Sequence, residues 1–207
     1  MTTDERRMPK GWRNFKQLPD GQRDVLRAAM LLVAAWDAEL YAHGEQVACE
    51  LLRLAPPGGE EEWYYAGLLH DVGKISIAPS ILHKRGRLSR KEWRVMQQHP
   101  VRGAVLLRQM EAPWVVVQGA MYHHERWDGA GYPYDIGGEQ IPFVARVLAV
   151  ADVYTALTSD RPYRRAFTPT QARLEIERNA GTQFDPQVVE SFFGKVKSPK
   201  YEVKAEV

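Results

Sequence analysis

The 207-residue sequence is 44% hydrophobic and 26% charged, which fits a single globular domain with a substantial core. The formal net charge of +2 gives no reason to expect DNA as a partner, and no apolar run approaches the roughly 20 residues that a membrane helix needs. The N-terminus lacks a secretion signal and the single Cys49 excludes an intramolecular disulfide framework, so we expect a cytoplasmic protein without membrane insertion.

The first predicted helix follows a polar lead-in that is interrupted by prolines and a glycine. Asp20 can begin a helix that continues to about Leu54, because no proline intervenes. Its first half is apolar on several sides, which fits either burial in the core or a homodimer surface. Cys49 lies within this helix, and we expect its small side chain to be buried.

The second predicted helix spans about residues 60–73 and begins with the acidic run Glu60–Glu62, which suits a helix N-terminus and which we expect to be solvated. Near its C-terminal end, His70 is followed directly by Asp71. Adjacent helical positions point about 100° apart, so both side chains reach one centre only where several helices converge. An imidazole and a carboxylate suit iron, manganese or zinc, although the pair alone is more typical of an ordinary helix end.

The middle of the chain predicts three helices that are separated by short connections. A loop over about residues 75–87 contains one helical turn near Pro79. A capping-box pattern predicts a helix that starts after Ser89. Pro100 and Pro113 each occupy a position that is typical of a helix start.

The C-terminal part combines a long loop with three further helices. Residues 126–140 are rich in glycine and include Pro133, which predicts a loop. Residues 141–159 form the most continuous apolar pattern and predict a central helix, and Thr168 and Asp185 are typical N-caps of two closing helices. Because strand-like alternation is absent from the sequence, we predict an all-α, single-domain helical bundle.

Further potential metal ligands are spread over these helices. Glu39 and His43 are spaced i,i+4 and therefore share a helix face. His123 and His124 form a second adjacent pair, and Asp152 is a lone carboxylate in an apolar segment. A buried carboxylate needs a partner or a metal, because an unpaired buried charge is costly. Together with the first histidine–aspartate pair, these residues predict a multinuclear metal site.

Two other catalytic classes fit the sequence poorly. The zinc-protease pattern would require a histidine at the position of Asp128. A cysteine nucleophile would require an adjacent base, and Cys49 lies in a helical segment without one.

The order of the motifs resembles the HD-GYP domain, the branch of the HD phosphohydrolase superfamily that hydrolyses cyclic di-GMP. The resemblance implies a helical bundle with the glycine-rich loop near the active site. It divides the chain into a lead-in (1–24), an HD-GYP phosphohydrolase domain (25–197) and a C-terminal tail (198–207). The matching stretches are residues 70–74, 81–88, 99–103, 123–133, 151–159, 161–164 and 181–186.

The resemblance also implies the roles of individual residues. Lys74, Arg161 and Arg164 match positions that approach the substrate phosphates, and Tyr132 belongs to the Gly-Tyr-Pro tripeptide beside the active site. Asp71 would bridge metal ions, and Asp71 and Lys74 are the expected catalytic residues. The implied metal ligands are Glu39, His43, His70, Asp71, His99, His123, His124 and Asp152.

The cofactor and the reaction follow from the same resemblance. It implies two divalent ions, or three if Glu39 takes part, and iron or manganese is favoured. Two ions roughly 3.5–4 Å apart hold a bridging hydroxide and stabilise both oxygens of an in-line displacement. The expected reaction is hydrolysis of cyclic di-GMP to pGpG, with GMP as a further product left open.

Two alternative functions remain open from the sequence. Another cyclic dinucleotide, such as cyclic GMP-AMP, is compatible with the same metal ligands. A non-catalytic module would instead use the tripeptide loop to bind a diguanylate cyclase, and a sensor protein is a further candidate partner. The sequence also departs from the family pattern at Gly44, where serine is common, and at residues 134–138, which leaves substrate preference open.

Overall fold

The computed structural model describes residues 18–160 and 165–194, which fold into ten α-helices without a β-strand. No helix in these ranges is both long enough and apolar enough to span a bilayer. The all-α prediction is therefore confirmed. The helices are α1 (Asp20–Trp36), α2 (Ala38–Leu51), α3 (Glu60–Leu69), α4 (Pro79–Leu82), α5 (Arg90–Met96), α6 (His99–Gln109), α7 (Trp114–Tyr122), α8 (Phe143–Thr158), α9 (Pro169–Arg178) and α10 (Pro186–Phe192), with 3₁₀ turns at Val72–Ser76 and Gly138–Gln140.

The prediction of one helix from Asp20 to about Leu54 is wrong, because the chain breaks at Asp37. The backbone of Asp37 is extended, with φ −150° and ψ 100°. Its carboxylate accepts hydrogen bonds from the backbone N–H groups of Glu39 and Leu40, at 3.0 and 2.9 Å. Aspartate is among the most favourable N-cap residues, so Asp37 ends α1 and starts α2 without a proline or glycine.

Most of the other predicted helix starts are confirmed. Ser89 and Glu92 form the expected capping box at the start of α5, and Thr168 forms another with Gln171 at the start of α9. The side chain of Asp185 caps α10. These local hydrogen bonds satisfy backbone N–H groups that have no partner within the helix.

Two predictions about burial are wrong. Cys49 is exposed, because it lies on the outer face of α2. Glu61 is buried rather than solvated, because it accepts hydrogen bonds from the backbone N–H of Leu18 at 2.5 Å and from Nε of Arg23 at 3.0 Å. The guanidinium supplies the opposite charge that a buried carboxylate requires.

Helix α3 is the centre of the fold. Eight of its ten residues are buried, and its side chains contribute to both hydrophobic clusters of the core. The first cluster joins α3 to α1, α6 and α7, and the second joins it to α2, α8 and α10. Representative members are Leu26, Leu69, Leu107 and Val117 in the first cluster, and Val47, Ala66, Leu148 and Phe192 in the second.

Glycines allow the elements around α3 to approach closely. A Cβ atom on Gly44 of α2 would lie 2.6 Å from the carbonyl oxygen of Leu68, and one on Gly67 of α3 would lie 2.5 Å from Cα of Ala48. Any larger side chain at these positions would therefore push α2 and α3 apart. This close packing brings the face of α2 that carries the predicted ligand His43 against the C-terminal end of α3.

Candidate metal centre

The first histidine–aspartate pair lies where α3 gives way to a 3₁₀ turn. The helix ends at Leu69, earlier than predicted, and Asp71 has left helical geometry with φ −96° and ψ 7°. This change of direction lets neighbouring side chains face one centre, with Nε2 of His70 lying 3.3 Å from Oδ2 of Asp71.

Asp71 lies at the centre of a cluster of imidazoles. Its Oδ1 atom is 3.1 Å from Nε2 of His99 and 3.6 Å from Nε2 of His123. Two groups of potential metal ligands share this carboxylate, and within each group the ligand atoms lie within 4.8 Å of one another. The first group is Asp71, His99, His123 and His124, and the second is His43, His70 and Asp71.

Asp152 reaches the cluster through His43. Nε2 of His43 lies 2.8 Å from Oδ1 of Asp152, although the residues belong to α2 and α8. Both side chains are 21% exposed, so Asp152 is not fully buried as its apolar sequence context suggested. The pair closes the side of the cluster that faces α8.

Three histidines are held by the main chain in one tautomer. In each, Nδ1 lies 2.7–2.9 Å from a backbone carbonyl oxygen three residues earlier in the chain. A carbonyl oxygen only accepts hydrogen bonds, so each Nδ1 carries the proton and each neutral ring presents the lone pair of Nε2. Histidines that bind metals are commonly oriented in this way. The pairs are His70 with Gly67, His99 with Met96, and His123 with Ala120.

This arrangement leaves acceptor atoms facing one another. Nε2 of His99 and Nε2 of His123 are 3.3 Å apart, and with both Nδ1 atoms protonated neither ring in its neutral form can donate to the other. Nε2 of His70 and Oδ1 of Asp71 are also buried without a hydrogen-bond partner among the described residues. Buried acceptors without donors are costly, and a divalent cation in each of the two ligand groups would satisfy these four atoms. The donor set therefore fits a divalent metal.

The charges around Asp71 perturb its pKa and that of His70. Burial by itself would raise the pKa of Asp71, but the Lys74 ammonium and the His70 imidazole hold it well below its ordinary value. Burial would likewise lower the pKa of His70, and the adjacent Asp71 carboxylate raises it instead. The carboxylate is therefore ionised and available as a ligand at neutral pH.

The second histidine pair is shifted in the opposite direction. Burial lowers the pKa of His123 to about 4. Burial, followed by the charges of His123 and His99, holds the pKa of His124 well below its ordinary value. Both rings are consequently neutral at pH 7, the form in which an imidazole binds a metal.

The remaining predicted residues have different positions. Glu39 is exposed in the first turn of α2 and lies outside both ligand groups, one helical turn before His43. Lys74 donates a hydrogen bond to Oδ2 of Asp71. Arg161 and Arg164 lie outside the described residues.

Tyr132 of the tripeptide lies against the second histidine pair. Its ring stacks on that of His124, with 4.7 Å between centroids and 25° between planes. Burial, followed by the charges of Asp71 and Asp152, raises the pKa of the Tyr132 hydroxyl. The hydroxyl therefore stays protonated at neutral pH beside the cluster.

A cavity of about 450 Å³ adjoins the cluster. Small-molecule sites commonly enclose ~300–1,000 Å³, so the space suits a nucleotide-sized ligand. Sequence reasoning missed several of its lining residues, because neither a tryptophan on a short helix nor an isolated glutamine indicates a pocket. The lining includes Trp93, Gln97, Gly131, Tyr132, Asp152 and Gln183.

Glu125 is a second residue that sequence reasoning missed. It is buried directly after the second histidine pair, and its Oε1 accepts a hydrogen bond from the backbone N–H of Tyr134 at 2.7 Å. The sequence feature that could have indicated this role is an acidic residue directly before a glycine-rich loop, because the backbone N–H groups of such a loop need acceptors. Glu125 anchors the loop that carries Tyr132.

Imidazoles and carboxylates from several helices thus cluster around one central aspartate, a donor set that is typical of metal-binding helical domains. The chain belongs to the HD domain family, since the family model described as an HD domain matches residues 34–188. This match confirms the resemblance inferred from the sequence motifs.

Curated relatives support the same assignment. The chain is 40% identical over 165 residues to 3'3'-cGAMP-specific phosphodiesterase 2 of Vibrio cholerae, which covers 76% of this chain and 32% of the relative. It is 40% identical over 164 residues to cyclic di-GMP phosphodiesterase PA4108 of Pseudomonas aeruginosa, covering 75% and 39%. The cyclic di-GMP phosphodiesterase response regulator RpfG of Xanthomonas campestris is 44% identical over 128 residues, covering 61% and 34%. The chain thus spans about a third of the length of these relatives, between 32% and 39%.

Solved structures share the fold. A cyclic GMP-AMP-specific phosphodiesterase of V. cholerae, V-cGAP3, superposes with a TM-score of 0.60 at 20% identity, covering 83% of this chain and 49% of that chain. The HD-GYP-type protein Bd1817 of Bdellovibrio bacteriovorus gives 0.58 at 16% identity, covering 74% and 51%.

Proposed function

We propose that this chain is a metal-dependent phosphodiesterase that hydrolyses cyclic di-GMP to pGpG, with GMP as a further product. One observation carries the proposal. Seven side chains from five helices or helix ends meet at one centre, where the main chain fixes three imidazoles with their Nε2 lone pairs pointing inwards. This is the arrangement that a site for divalent ions requires.

The two groups of ligands would hold two ions, with Asp71 shared between them. Iron or manganese suits the mixture of imidazole and carboxylate ligands, and a third ion would require the exposed carboxylate of Glu39. When bound, such ions activate water at neutral pH and stabilise the attacking and leaving oxygens of a phosphodiester.

Other side chains supply what the substrate needs. The Lys74 ammonium lies beside Asp71, where it would stabilise negative charge on the phosphoryl oxygens. The protonated Tyr132 hydroxyl is available as a hydrogen-bond donor next to the cluster. We assign Arg161 and Arg164 to the substrate phosphates as well.

A second candidate substrate is cyclic GMP-AMP. It is favoured by the 40% identity to a relative named as a 3'3'-cGAMP-specific phosphodiesterase. Both substrates carry the same phosphodiester groups and differ in a base, so the ligands around Asp71 would serve either one. Binding to a diguanylate cyclase or sensor protein and formation of a homodimer stay predictions.

The experiment is a substrate panel with protein purified anaerobically and analysed for iron, manganese and zinc. We expect two or three ions per chain and release of pGpG from cyclic di-GMP, with slower or no turnover of other cyclic dinucleotides. Treatment with a chelator, and the variant Asp71→Asn, should both abolish turnover. A protein that contains its ions but hydrolyses no cyclic dinucleotide would overturn the proposal.

A further inference from the structure

Trp93 is placed on the wall of the cavity that adjoins the histidine cluster. It is 46% exposed, and it lines the cavity together with Gln97, the C-cap residue of α5, which lies one turn later. His124 and Asp152 line the same cavity. The space between Trp93 and the cluster is therefore continuous.

The core does not require this tryptophan. None of the seven residues of α5 is buried, so the helix lies on the surface of the fold. The capping box defines the start of α5, and an ion pair joins Lys84 to Glu92 of this helix, with 2.6 Å between Nζ and Oε2. Because nearly half of the Trp93 side chain is exposed, its burial stabilises the fold less than that of a core tryptophan would.

Trp93 and Tyr132 form an aromatic corner. Their rings are 6.1 Å apart with 75° between planes, while Tyr132 lies nearly parallel to His124. A flat ligand that stacks on one ring of the corner would therefore present its edge to the other. Both arrangements are favourable for aromatic rings.

We propose that Trp93 binds substrate, holding one purine base of the cyclic dinucleotide by stacking while a phosphodiester group lies at the histidine cluster. This inference rests on the proposed function and deepens it by assigning a base-binding residue. Stacking on an aromatic side chain tolerates any base, because every base presents a π-face. Trp93 therefore contributes to substrate affinity and not to the bond-breaking step.

The test compares Trp93→Ala and Trp93→Phe with Trp114→Ala. Trp114 is 51% exposed at the start of α7 and does not line the cavity, which makes it a matched control. Two substrates are used, cyclic di-GMP and methyl p-nitrophenyl phosphate, which has a phosphodiester but no purine. Metal content is measured for every variant.

Trp93→Ala should raise KM for cyclic di-GMP by about 5- to 150-fold, which corresponds to the loss of one stacking contact. Its kcat, its metal content and its turnover of methyl p-nitrophenyl phosphate should stay within about threefold of wild type. Trp93→Phe should recover most of the affinity, and Trp114→Ala should behave as wild type.

Either of two results would overturn the inference: an unchanged KM in Trp93→Ala, or an equal loss on both substrates, which would indicate a structural role. If wild type cleaves methyl p-nitrophenyl phosphate and no cyclic dinucleotide, the proposed substrate fails. In that case, calorimetric titration of the chelator-treated protein with cyclic di-GMP tests the role of Trp93. Weaker binding by Trp93→Ala than by wild type would support base binding by Trp93, whereas equal binding by both proteins, or no binding by either, would refute it.

Discussion

The Lys74 ammonium donates a hydrogen bond to Oδ2 of Asp71, so the two residues expected to take part in catalysis form one ion pair. The Lys74 side chain is 23% exposed, whereas that of Asp71 is 7% exposed. The lysine therefore lies at the boundary between the histidine cluster and solvent, where a bound phosphate would meet it.

Replacing Lys74 separates substrate stabilisation from metal binding. We expect Lys74→Met to lower kcat/KM for cyclic di-GMP by roughly 10²- to 10³-fold, the effect of removing one group that stabilises transition-state charge. Bound ions would themselves compensate the charge of Asp71, so metal content should stay unchanged. Lys91→Met is the control, since Lys91 is exposed and does not line the cavity. A parallel loss of metal and activity in Lys74→Met would contradict this assignment.

Removing the loop anchor should affect both stability and turnover. Glu125→Ala leaves the backbone N–H of Tyr134 without its acceptor, which costs about 1–3 kcal/mol when the group stays buried. Displacement of Tyr132 should also reduce kcat/KM. Glu125→Gln retains an acceptor and should be milder, and Glu139→Ala, at an exposed position of the same loop, is the control. Urea unfolding and steady-state kinetics measure the two effects, and an unchanged Glu125→Ala would show that the loop does not depend on this carboxylate.

Adding a methyl group at the close contact between α2 and α3 should disturb the histidine cluster. Because a Cβ atom on Gly44 would meet the Leu68 carbonyl oxygen at 2.6 Å, Gly44→Ala should cost about 1–3 kcal/mol, as overpacking does. The shift of His43 should also reduce the metal content. Gly21→Ala in α1 is the control, because its Cβ would meet nothing within 4 Å. Full stability and full metal content in Gly44→Ala would mean that the helices separate without cost.

The stability of the metal-free protein should depend on His123. The ordinary pKa of 6.5 applies to the unfolded chain, and burial lowers the pKa of His123 in the folded chain to about 4. Between these values the unfolded state binds the proton and the folded state does not, so stability is lost as pH falls from about 6.5 towards 4. His124 shifts in the same direction, and His70 in the opposite one.

Urea unfolding in the presence of a chelator at pH 7, 6 and 5 measures this effect. His123→Asn keeps an amide N–H for the Ala120 carbonyl but does not titrate. As the pH falls, the free energy of unfolding of this variant should therefore decrease less steeply than that of wild type, and the two slopes should differ by up to about 1.4 kcal/mol per pH unit. Identical slopes for the two proteins would show that His123 does not govern the acid sensitivity.

Much of the fold could be predicted because its information is local. Capping residues such as Ser89, Thr168 and Asp185 are contiguous with the helices they start, and apolar periodicity follows from burial of one helix face. The break at Asp37 was missed because an aspartate surrounded by helix-forming residues is compatible with either a helix interior or an N-cap. Which of the two conformations Asp37 adopts depends on how α1 and α2 pack, and a local sequence pattern carries no information about that packing.

The site was predictable to the extent that its chemistry is unusual. Paired histidine and aspartate residues stand out in a sequence, and seven of the eight expected ligands meet, while Glu39 remains exposed and outside the two groups. Glu125 and Trp93 were missed because their roles arise from distant partners. The sequence alone does not distinguish a glutamate that accepts hydrogen bonds from a loop from a glutamate on the surface.

The three imidazoles that the main chain holds in place have a consequence for how an ion enters. Their rings are already aimed before any cation arrives, so capture requires little loss of side-chain rotamer freedom and little refolding. An ion of unsuitable radius would have to displace the carbonyl groups of Gly67 in α3, Met96 in α5 and Ala120 in α7. The selectivity for one metal ion therefore depends on the rigidity of these helix ends. A substitution that makes one of these buried helix ends more mobile should broaden the range of metals that the protein binds.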